Sequence, residues 1–227
     1  MIAGAGALAV AHIIANPEIA RAARQGSGVI VGVVTTKVAA PAAIRATIDS
    51  EVCGPSVPDE SIAVDRSGRL ANVVVSLAGV KAPAPAEIVI VNERCRFAPR
   101  VGLLRPKGSI KMTSRDPVLH TMHAAADNGR AFFNVSLPIP NLTVSKPIDR
   151  PGVALLTCST HTWMRGFLHV TDEASAVSGA DGAFRLEGLP PGAHVLKVWH
   201  ETLKANAVKV TVKDGETANV SIELTRK

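Results

Sequence analysis

The chain has 227 residues, 47% hydrophobic and 19% charged, a composition that supports a packed core and excludes a disordered polymer. With 18 Gly, 15 Pro and no Tyr, its Val/Thr/Ala runs broken by turn residues argue for short strands and against long-helix bundles. The net charge is +6, and no apolar run reaches the roughly 18–20 residues of a spanning helix, so no transmembrane segment is expected in the mature protein.

The positive charge is concentrated. Between Arg94 and Arg165, eleven Lys/Arg stand against three Asp. No Lys/Arg block, stacking aromatic series or zinc-finger spacing accompanies them, which argues against a nucleic-acid partner and for an acidic protein surface.

In chain order, Ile2 to Ala15 is an apolar stretch of signal-peptide core length, and Ala20-Arg21-Ala22 has small residues flanking one position, so residues 1–25 read as an export segment. The alternatives are an N-terminal helix or an export signal truncated by a wrongly assigned start, because the expected leading positive charges are missing. From Gly28 the pattern turns to β. Val29–Val38, Ala71–Leu77, Glu87–Val91, Gly108–Thr113, Arg130–Leu137, Gly152–Leu156 and Phe167–Thr171 read as strands separated by Gly, Pro and Asn turns, the signature of an antiparallel sandwich or barrel. After Thr171, Asp181-Gly182, Pro190-Pro191-Gly192 and Asp214-Gly215 mark hairpins of a small second module. The expected domains are 28–172, with an N-terminal β extension, and 173–227.

Three cysteines, Cys53, Cys95 and Cys158, make an odd count. In an exported protein that suggests one disulfide and one thiol with another task. Cys53 and Cys95 suit the disulfide, with two buried thiols as the alternative.

Cys158 opens the densest chemistry of the chain, Cys158-Ser159-Thr160-His161-Thr162-Trp163-Met164. Thiolate, imidazole and thioether share one turn, and with a second imidazole they form the donor set of a copper site having a trigonal base and a weak axial Met. His120, in Asp116-Pro117-Val118-Leu119-His120-Thr121-Met122-His123, is the choice for that second imidazole, with His123 as the alternative. In a sandwich, a loop between two earlier strands can meet the loop before the last strand at one end.

The segment CSTHTWMRGFLHV, together with DPVLHTMHA, resembles the ligand segments of the cupredoxins, especially the short-loop blue copper proteins such as amicyanin, over roughly residues 70–171. The resemblance implies an all-β, Greek-key sandwich with one type 1 copper held by His120, Cys158, His161 and Met164. It also implies one-electron transfer to a redox partner protein rather than enzymatic turnover. It departs at Thr121, where the family often has Asn tying the two ligand loops together. His161 would present its edge near the surface as the electron port, beside an apolar docking patch around Trp163.

The C-terminal segment GADGAFRLEGLPPGAHVLKVWHE resembles the carboxypeptidase regulatory-like, transthyretin-like β-sandwich, which is usually noncatalytic. His194 and His200, evenly spaced on one predicted strand, could face the same side. The expectation is therefore a periplasmic or secreted electron carrier. A copper storage or delivery protein and a noncatalytic cell-envelope binding module are the alternatives.

Overall fold

The computed structural model describes residues 27–227; the export segment expected at 1–25 lies outside them. Among these residues the regular structure is almost entirely β, as the sequence implies, and it divides into two sandwiches with separate cores.

The first sandwich has a five-stranded sheet in the order β10 (Ala131–Leu137), β9 (His120–Ala126), β12 (Gly152–Thr157), β13 (Arg165–Val170), β7 (Val101–Leu104). Facing it is a sheet in the order β11 (Thr143–Ile148), β8 (Gly108–Ser114), β5 (Glu87–Asn92), β6 (Phe97–Ala98). Alternation puts Ile110 and Met112 of β8, Met122 and Ala124 of β9, and Leu156 and Leu168 of β12 and β13 into one core.

The second sandwich draws on both ends of the chain. Its sheets run β15 (Ala183–Leu189), β1 (Gly28–Thr36), β19 (Thr217–Arg226), β17 (Leu203–Lys204), and β14 (Glu173–Val177), β4 (Val74–Lys81), β16 (Gly192–Trp199), β18 (Val208–Val212). A boundary at 172/173 therefore does not separate the two cores: β1 and β4 leave the expected first domain and sit inside the sheets of the second. The physical reason is core size. About 55 residues alone give two thin, incomplete sheets with little to bury, and the inserted strands supply Ile30, Val34, Val75 and Leu77 to that core. Gly32 pairs with Phe184 across the sheet. A Cβ there would lie 2.5 Å from the Phe184 ring, so only Gly lets the ring lie over β1.

Residues 44–62 form a strap over one end of the first sandwich. β2 (Ile44–Arg45) pairs with β3 (Ser56–Val57) around a four-residue helix, α1 (Ser50–Cys53), and a 3₁₀ turn follows at Glu60–Ile62. Ala46, Cys53 and Val57 are buried in the first core. Cys53 is bonded to Cys95, which is the expected pairing.

Between the sandwiches, Trp199 meets the rings of Phe167 and His169 edge-on at 5.2 and 4.3 Å. His200, just past β16, is buried, whereas His194 bonds the Pro190 carbonyl oxygen at 2.8 Å, so the two do not combine into a site. Nε2 of His169 and Nε2 of His200 both lack a hydrogen-bond partner. Burial pushes both imidazoles down to about 4, and for His200 Lys227 and Arg100 add to the effect. The unfolded chain, with His near 6.5, binds more protons between those values. This stability is fully present above pH ~6.5 and is lost as pH falls toward 4, at on the order of 3 kcal/mol per group. Thermal unfolding should show a midpoint clearly lower at pH 4.5 than at pH 7, with a shallower pH dependence in His169→Leu.

Candidate metal centre

Sheet order places the donors. β12 lies between β9 and β13, and the turn of residues 158–164 joins β12 to β13 at the end where β9 begins with His120. The pairing of Thr157 with His123 carries Ser159 to the level of Thr121, and the Ser159 N–H donates to Thr121 Oγ1 at 2.7 Å. Thr121 thus makes the inter-loop tie that the departure from Asn had put in question. Its own N–H and hydroxyl also approach Cys158 Sγ, at 3.4 and 3.7 Å.

Cys158 Sγ stands 4.0 Å from His120 Nδ1 and 3.8 Å from His161 Nδ1, and the imidazole centroids are 4.6 Å apart. First-row metal bonds of ~2.0 Å to nitrogen and ~2.3 Å to thiolate, spread trigonally, would separate N from S by about 3.7 Å, so the three donors fit one ion. His120 and His161 are 0% exposed and Cys158 4%. His123 is not among the grouped donors; it sits within the sheet between Asn134 and Thr157. Met164 is buried in the same core and its N–H closes the turn onto the His161 carbonyl at 2.9 Å. Two further donor groupings include Cys95, but the disulfide leaves its sulfur no thiolate to offer.

Both imidazoles are backed by carboxylates, a feature the sequence reading missed. His120 Nε2 bonds Asp116 Oδ2 at 2.9 Å, and His161 Nε2 bonds Asp49 Oδ2 at 3.1 Å. The Nε2–carboxylate bonds turn each Nδ1 toward Cys158, where its lone pair becomes available to a metal once that nitrogen gives up its proton. Asp116 also accepts the N–H groups of Arg94 and Cys95 at 2.7 and 2.9 Å. Burial raises the Asp116 carboxyl, but His120 and those N–H donors outweigh it and hold the pKa below the usual value.

Burial likewise pushes the Cys158 thiol up, yet hydrogen bonds from His120 and from the Thr121 and His161 N–H groups bring it down to about 5. Burial lowers His120, while Asp116 and Cys158 raise it to about 9. A buried thiolate surrounded by N–H donors and positive charge is the electrostatic complement of a cation.

One expectation is overturned. His161 is not an exposed edge: Asp49 and the strap cover it. Trp163, partly buried, lies edge-on to His161 at 5.2 Å and donates its indole N–H to the Cys95 carbonyl at 3.1 Å. Together with Met164 and Arg165 it lines a cavity of about 290 Å³ bounded by the strap and by Glu201 and Thr202 of the second sandwich.

Residues 167–225 match the carboxypeptidase regulatory-like domain family. No curated protein matches the chain. Among solved structures, a novel purple cupredoxin from Nitrosopumilus maritimus is 23% identical, covering 38% of this chain and all of that one, at a TM-score of 0.33. A reduced single-site mutant of amicyanin is 16% identical over 43% of this chain and 98% of its own, at 0.34. A Cu-containing nitrite reductase from Thermus scotoductus SA-01 is 18% identical over 41% of this chain, at 0.34, and the chain spans 24% of that protein. The family resembled in the C-terminal segment thus recurs among the matches.

Proposed function

We propose that this protein is an exported one-electron carrier with a single type 1 copper that His120, Cys158 and His161 would hold, with Met164 as a fourth, weaker donor. The observation that carries the reading is the convergence of a buried, low-pKa thiol and two carboxylate-backed imidazoles, His120 and Cys158 coming from segments 38 residues apart. Soft sulfur with two imidazoles selects copper over harder ions.

Copper bound there supplies a couple that changes by one electron. The chain's residues keep the surroundings constant across that change. Asp116 and Asp49 fix the imidazole planes, the Thr121 and His161 N–H groups hold the Cys158 sulfur, and the Thr121 hydroxyl joins the two ligand segments. Burial of the three donors excludes water and supports retention of the ion over the exchange that a storage or delivery protein needs. With His161 covered, the cavity lined by Trp163 and Met164 is the approach assigned to a redox partner. The basic middle of the chain fits an acidic partner, and a disulfide suits the periplasm or the exterior.

Voltammetry of the copper-loaded chain tests the carrier role. A reversible one-electron wave that survives repeated cycling is expected; irreversible loss of the ion on reduction would favour delivery.

A further inference from the structure

Asp49 occupies the N-cap of α1, a position where an Asp side chain ordinarily accepts a hydrogen bond from the helix's own first turn. Here it makes no such bond; its carboxylate reaches His161 instead. The backbone at Asp49 is left-handed, with φ at 51°, a conformation that a non-glycine residue adopts seldom and keeps where its surroundings hold it. The N–H groups of Val52 and Cys53 both donate to the Asp49 carbonyl, at 3.0 and 2.8 Å, which ties Asp49 to the turn that carries Cys53.

Cys53 is in turn bonded to Cys95. The N–H of Cys95 and that of its neighbour Arg94 both end on Asp116, the carboxylate behind His120. Arg94 and Cys95 are themselves left-handed, with φ at 51° and 53°. One covalent bond therefore joins the turn that presents Asp49 to the turn that anchors Asp116. Both cysteine sulfurs lie within 4.8 Å of a His161 ring nitrogen, so the cross-link sits directly against the centre it braces.

We propose that Asp49 is a positioning residue for His161 and that the Cys53–Cys95 disulfide is the clamp that holds it, and Asp116 with it, in register with the metal donors. The proposal rests on the copper reading for its effect on the ion, but the clamp is a property of the metal-free chain as well. Asp49 acts through His161: it orients the ring and keeps the proton on Nε2 so that Nδ1 faces Cys158. Loss of such an outer partner typically weakens metal retention roughly 10–100-fold.

The test uses the full chain, wild type, Asp49→Ala, Asp49→Asn and the double variant Cys53→Ala/Cys95→Ala. Each is loaded with Cu(II) and followed by transfer of the ion to excess EDTA, and each is examined without metal by amide hydrogen exchange. Transfer from Asp49→Ala and from the double variant should be at least about ten-fold faster than from wild type. Asp49→Asn, whose amide oxygen still accepts the Nε2 proton, should stay within a few-fold of wild type. Without metal, the double variant should lose protection at the amides of positions 46, 52 and 53 while β12 and β13 keep theirs.

Wild-type transfer rates in Asp49→Ala, or equal losses in Asp49→Ala and Asp49→Asn, would overturn the positioning role. Unchanged protection at 46–53 in the double variant would overturn the clamp. If the wild type takes up no copper, it is the copper reading that fails, and the exchange data still decide the clamp.

Discussion

Cys158→Ala should leave the sandwich folded and remove, completely, the intense thiolate-to-copper absorption expected at ~600 nm for the loaded protein. The sulfur is the only thiol in the described chain not committed to a disulfide. It is also the point on which the site converges: His120, His161 and the two N–H donors of Thr121 and His161 all face it. Without it, two imidazoles and a thioether remain, a set that can still bind copper but has no thiolate to give the strong band. Visible spectra of the loaded variant, with circular dichroism to verify the fold, check the result; a band of parental intensity would remove Cys158 from the site.

Arg100→Ala should destabilise the chain by about 3–5 kcal/mol in urea unfolding. Arg100, between β6 and β7, forms a two-pronged pair with Glu201 across the junction of the sandwiches, at 2.8 and 2.9 Å, and also donates to the Arg165 carbonyl at 3.1 Å. The two side chains are 8% and 9% exposed. Burial already raises the Glu201 carboxyl despite Arg100 beside it, so deleting the guanidinium strands a poorly solvated acid. Arg100→Met/Glu201→Met, which removes both charges, should recover most of the loss. A single variant as stable as wild type would show that the junction does not depend on the pair.

What the sequence discloses follows from how local each signal is. Cys158, His161 and Met164 fall within seven residues, and a tight turn between adjacent strands keeps them together, so motif and geometry coincide. His120 was legible by its chemistry although its strand was not: His-Thr-Met-His-Ala-Ala-Ala is poor in β-branched residues, and β9 forms because it is paired on both sides by β10 and β12. Asp49 had no signal. It lies 112 residues from His161, in a segment resembling any polar turn, and it reaches the centre only because the strap folds over that end of the sandwich, with Ala46, Cys53 and Val57 in the core.

The burial of His161 was hidden for the same reason, since spacing identifies a donor and not what covers it. β1 and β4 show a related limit. The β-branched runs in Val29–Thr36 and Val74–Lys81 mark strands, but two cores were available, and the choice between them rests on pairing with strands about 100 residues or more away.

The most direct test of the central claim is a titration of the metal-free full chain with Cu(II), read by visible absorption and electron paramagnetic resonance. Saturation at one copper per chain is expected, with a band at ~600 nm and the narrowed copper hyperfine pattern of a strongly covalent Cu–thiolate bond. Copper uptake without that band, or no uptake by the folded chain, would contradict that claim.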